Sequence, residues 1–166
     1  MSVNCPSSGE GEVVRCGMQV ATRSTLEVAM PVPDDKAAVI ETLREYYAAS
    51  NKHDGPAMVS YYSEPVMFIT AEAVAARATH AEVLPVLRQF FERLRTMGVA
   101  RSEWAEAHCK QLSATLVVAG IVVVRYGAGG GELERVGWTY LVQKTSAGWK
   151  IAVLASHSPD TVLRVA

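Results

Sequence analysis

Residues 115–157, TLVVAGIVVVRYGAGGGELERVGWTYLVQKTSAGWKIAVLASH, decide how the rest of the chain is read. The stretch holds three apolar runs, 115–126, 136–142 and 149–157, each rich in the β-branched and aromatic residues that suit a pleated surface. Gly127-Ala128-Gly129-Gly130-Gly131 separates the first two and Lys144-Thr145-Ser146-Ala147-Gly148 the last two. Such connections are long enough for hairpins and too short for a parallel crossover, which predicts an antiparallel meander. The glycine-rich loop leads from strand to strand and lacks a following Lys-Ser/Thr, so it is a turn and not a phosphate cradle.

Upstream of this sheet the pattern becomes helical. Val39, Ile40, Leu43, Tyr46 and Tyr47 fall on one stripe of a segment that Asp34 or Asp35 can cap and that runs to about Asn51. Asp54 followed by Gly55-Pro56 opens a shorter second helix ending near Pro65, since proline in a first turn gives up no hydrogen bond. Residues 66–70 and 73–78 read as a short strand pair. Thr79-His80-Ala81-Glu82 has capping-box spacing, and Val83, Leu87, Phe90, Leu94 and Met97 follow at helical intervals up to Gly98. Pro85 predicts a distorted first turn or a later onset, not a break. In residues 104–112, Glu106, His108 and Lys110 alternate onto one face, and the pattern leaves open whether that face is interior, as an acid–base cluster, or solvated. The element order is ααββαββββ: an α+β domain with three helices packed on a curved, mostly antiparallel six-stranded sheet.

Composition narrows the function. One domain over residues 34–158 suits a chain of 166 residues with 49% hydrophobic content, with 1–33 a poorly ordered extension and 159–166 a tail. A strand over 19–28 is conceivable within that extension, and Met18 or Met30 is a candidate translation start. Sixteen basic against seventeen acidic residues, without a run of one sign, leave no footprint for nucleic acid or a membrane surface. Three widely spaced cysteines suit reduced thiols in a cytoplasm, and the four histidines have no metal-ligand spacing. Because strand 115–126 is apolar on both faces, the sheet face away from the helices needs cover. Isologous dimerisation through it, with Trp138 or Tyr140 in the contact, is the expected remedy, and cover by residues 1–33 is the alternative.

Tyr46-Tyr47-Ala48-Ala49-Ser50-Asn51-Lys52-His53-Asp54 at the helix junction, and Gly148-Trp149-Lys150-Ile151 entering the last strand, resemble the nuclear transport factor 2 superfamily. That superfamily has a cone-shaped fold with an internal pocket, shared by ketosteroid isomerases, scytalone dehydratases, limonene epoxide hydrolases and SnoaL-like cyclases. The resemblance implies that Tyr46 stands where the isomerases have their oxyanion-hole tyrosine, and that Thr70 and Thr139 replace their two aspartates. A threonine hydroxyl cannot serve as the base, so steroid-isomerase chemistry is not expected. Arg125 with Glu132 or Glu134 is read as lying beside a hairpin loop, away from the epoxide-hydrolase arrangement. His108 and His157 are the strand histidines available to a dehydratase-like pocket. The resemblance therefore implies a cofactor-independent pocket for a small, largely apolar molecule, with Tyr46 and His157 as candidate catalytic groups. Thr70, Thr139, Met67, Leu141 and Val153 are the candidate ligand contacts. Binding is favoured over catalysis; the alternative is an isomerase, dehydratase or cyclase using Tyr46 and His157.

Overall fold

The computed structural model describes residues 35–164. The expected extension 1–33, its conceivable strand and the alternative start sites lie outside the described residues. Helices α1 (Lys36–Asn51), α2 (Gly55–Val59) and α3 (His80–Thr96) pack on one face of a six-stranded sheet. The strands are β1 (Tyr62–Ile69), β2 (Val74–Arg77), β3 (Val99–Ser113), β4 (Leu116–Gly127), β5 (Glu132–Thr145) and β6 (Gly148–His157). Their spatial order is β2-β1-β6-β5-β4-β3, and all pairings are antiparallel except β1 with β6. The meander predicted from residues 115–157 is thus present, and β1–β2 is the predicted hairpin.

The core lies between the helices and the inner face of the sheet. From α1 it takes Val39, Leu43 and Tyr46; from α3, Val83, Leu87, Phe91 and Leu94; from β4, Val117, Ala119, Ile121 and Val123. Burying each valine, leucine, isoleucine or phenylalanine among them is worth roughly 1.5–3 kcal/mol, which is what fixes the helices to the sheet. On α3 the fully buried ring is Phe91, while Phe90 is half-buried beside it and faces the cavity described below. Thr79 makes no capping hydrogen bond; the Glu82 carboxylate instead accepts from the Ala78 N–H at 3.0 Å. Asp54 does cap α2, accepting from the Ala57 N–H at 3.0 Å. Asn51 clamps the end of α1 to β3 through both its amide atoms, at 2.8 and 3.0 Å from the Ser102 backbone.

Two sequence expectations change here. As far as it is described, the expected tail is packed: Pro159–Thr161 form a 3-10 turn, and Val162 is buried. A Cβ added at Gly120 would come within 2.7 Å of the Leu163 carbonyl, so the segment runs directly over the outer face of β4. Arg164 closes it with a bidentate pair to Glu106 on β3, at 2.6 and 3.0 Å. That contact also answers which way β3 faces. A register shift between Trp104 and Glu106 places Glu106, His108 and Lys110 opposite Val122, Gly120 and Val118 on the outer face.

The second change concerns Trp138 and Tyr140, expected on the outer face as dimer contacts. Both point toward the helices: Tyr140 is buried against Tyr47, and Trp138 lines the inner cavity. The alternation of β5 leaves Gly137, Thr139 and Leu141 for the outside. With β4 apolar on both faces, its sequence could not decide which parity of β5 turned inward.

Candidate functional site

α1 sets Tyr46, Tyr47 and Ser50 on the stripe that faces the sheet, and the inward-pointing alternate residues of the strands meet them. Together they enclose a cavity of about 370 Å³, near the lower end of the roughly 300–1,000 Å³ usual for small-molecule sites. Phe68 and Thr70 come from the β1 end, Val123 and Arg125 from β4, and Leu154 and Ser156 from β6. β5 contributes Glu134, Val136, Trp138 and Tyr140, and α3 contributes Leu87, Phe90 and Arg93.

Four tyrosines form the deep wall. The Tyr46 and Tyr62 hydroxyls are 2.6 Å apart, and those of Tyr47 and Tyr140 are 2.5 Å apart. The rings of Tyr62, Tyr47 and Tyr140 each stand edge-on to Tyr46. Two hydroxyls sharing one hydrogen bond retain one further proton, so each pair can still donate to a ligand oxygen. Burial pushes all four hydroxyls well above the ordinary value of 10.0, against which the Arg125 charge works at Tyr46 and Tyr47. They are therefore donors at neutral pH, not bases.

A second group of lining residues is ionic. Arg125 is 3% exposed and its guanidinium lies 5.3 Å from the centre of the Phe90 ring. It donates through Nη1 to Glu134, its cross-strand partner, and Glu134 also accepts from Arg93 at 2.6 Å. Arg125 Nε is buried without a hydrogen-bond partner among the described residues. The expectation that Arg125 and Glu134 merely flank a hairpin loop is corrected: the hairpin register turns both into the cavity. The signal in the sequence was one arginine ending an otherwise apolar run, with a glutamate at matching distance beyond the glycine loop.

The other candidate residues divide between the two faces of the sheet. Tyr46 and Thr70 line the cavity. The Thr70 hydroxyl, however, accepts the N–H groups of Glu72 and Ala73 at 3.2 and 3.1 Å and so shapes the β1–β2 turn. His157 and Thr139 meet each other at 2.9 Å on the outer face, not with Tyr46. His157 Nδ1 donates to the Ser158 carbonyl at 2.8 Å, which leaves Nε2 to accept the Thr139 hydroxyl in the neutral ring. Met67, Leu141 and Val153 are register neighbours on that same outer face. The convergence of Tyr46, Thr70, Thr139 and His157 on one cavity is thus corrected, and strand parity is the reason: Thr139 alternates with Trp138 and Tyr140, and His157 with Ser156. Tyr47 and Tyr140, which the sequence offered only as a helix-stripe residue and a dimer contact, stand in the site instead, and Tyr62 joins them.

A family model described as NTF2-like protein (DUF6841) matches residues 34–159. The chain belongs to this NTF2-like family. Among solved structures, a domain of unknown function with a cystatin-like fold from Nostoc punctiforme superposes with a TM-score of 0.61 at 24% identity, covering 74% of this chain and 75% of that one. An NTF2-like protein with a cystatin-like fold from Novosphingobium aromaticivorans gives 0.61 at 18% identity, over 76% and 83% of the two chains. An NTF2-like protein of unknown function from Shewanella oneidensis gives 0.59 at 19% identity, over 72% and 96%. These likenesses are of fold alone, and one NTF2-like fold hosts many chemistries. No curated protein matches the chain. Among the described residues no cluster of metal-ligating side chains occurs, and no helix is long and apolar enough to cross a membrane.

Proposed function

We propose that this NTF2-like domain holds one small, largely apolar molecule in its cavity, by binding rather than turnover, and that it works in the cytoplasm as a homodimer. The observation that carries the reading is the cavity itself: aromatic and aliphatic walls around hydrogen-bond donors fixed by their own partners. Such a site recognises a neutral or anionic oxygen on an apolar body. The groups that could move protons favour binding over catalysis. The buried tyrosines stay protonated, and the one carboxylate on the wall, Glu134, is held between two arginines. An isomerase, dehydratase or cyclase built on Tyr46 and His157 needs both at one cavity, whereas His157 bonds Thr139 on the other face.

The test is titration with the neutral fluorescent probe N-phenyl-1-naphthylamine. Binding should saturate at one probe per chain and should be lost in Val136→Trp and in Ser156→Phe, which fill the cavity from different strands while circular dichroism stays native. Equal binding to either folded variant would overturn the reading.

A further inference from the structure

We infer that the molecule held in this cavity is an apolar carboxylate whose acid group is received by Arg125; the inference rests on the binding reading above and names its ligand class. Three observations lead there. The first is charge: the lining residues include two guanidiniums, Arg125 and Arg93, and one carboxylate, Glu134, so the wall keeps one positive charge in excess. Glu134 is shared between both guanidiniums, so neither is fully neutralised, and of the two Arg125, at 3% exposed, is the one shielded from bulk water.

The second is the unpaired Arg125 Nε. A buried donor without an acceptor is costly and rare; of the two among the described residues, Trp104 Nε1 and Arg125 Nε, only the second belongs to a residue lining this cavity. A guanidinium already bound to Glu134 through Nη1 still offers its Nε edge, whose planar donors match the two oxygens of a carboxylate. The third is the distribution of surfaces. Phe68, Phe90, Trp138 and Leu154 supply the apolar wall, so a molecule with its acid at Arg125 can lay an aromatic or alicyclic body against them.

The test compares two probes of equal size and different charge, 2-naphthoate and 2-naphthamide, by calorimetric titration. Naphthoate should bind at least about tenfold more tightly, the gap expected when a charge-assisted pair replaces a neutral hydrogen bond. In Arg125→Met the preference should vanish, naphthoate losing at least about tenfold more affinity than naphthamide. Should Arg125→Met fail to fold, Glu134→Gln gives an independent readout: it removes the competing carboxylate, so the ratio of naphthoate to naphthamide affinity should rise several-fold. Equal affinity of the two probes for the native protein would overturn this inference and leave the binding reading standing. Binding of neither probe would remove both. A naphthoate preference that survives Arg125→Met, or that does not rise in Glu134→Gln, would overturn the assignment to Arg125.

Discussion

At the scale of single residues, the four buried tyrosines make the site sensitive to alkali. Each has its hydroxyl raised by burial, so its neutral form is favoured in the folded state. That stability is fully present below the ordinary value of 10.0 and falls as pH climbs through the raised range. Each such tyrosine costs about 1.4 kcal/mol for every pH unit above 10. Four together would therefore exhaust a typical stability of ~5–15 kcal/mol within about one to three units. We expect alkaline unfolding in which four of the six tyrosines ionise only as the fold opens, so that tyrosinate absorbance and circular dichroism change together. Ionisation of all six with native circular dichroism would contradict it. The residue scale is also where the sequence was least informative. Tyr46 was legible as a site residue from the motif around it, but Tyr62 and Tyr140 were not, because their hydroxyls find partners 16 and 93 residues away across the fold.

Elements were far more legible. The meander, the three helices and the β1–β2 hairpin all follow from periodicity and turn chemistry in residues 36–157. What periodicity cannot supply is which face of a strand turns inward when its neighbour is apolar on both, and that ambiguity misplaced Trp138, Tyr140, Thr139 and His157 together. Over Gly120 and Gly137 the outer face is instead covered by the chain's own last described segment. Gly137 makes room for it: an added Cβ would lie 2.6 Å from the His157 ring and 2.7 Å from the Ser158 carbonyl. The ring could swing aside, but the carbonyl belongs to the backbone and cannot. Gly137→Ala should cost about 1–3 kcal/mol, as overpacking does, and should expose the residues after His157 to carboxypeptidase. An unchanged urea midpoint with an unchanged digestion rate would show that the segment does not depend on this contact.

On the scale of the whole molecule, the proposed homodimer must now be argued from other residues than the sequence suggested. Met67, Leu141 and Val153 adjoin one another on the outer face, and Met67 and Leu163 are 37% and 40% exposed. Sedimentation at micromolar concentration should give twice the 17.9 kDa chain mass, and Val153→Glu should return the protein to a monomer with its cavity intact. A native protein that sediments as a monomer would remove the proposal. β4 carries nine successive uncharged, mostly β-branched residues from Leu116 to Val124, a composition that in an unpaired strand favours cross-β aggregation. β5 covers one of its edges and β3 the other, and β3 is itself an outer strand bearing Arg101, Glu103, Glu106 and Lys110. Those charges make β3 a gatekeeper: a growing fibril would have to add to a charged strand before it could reach the one that resembles it.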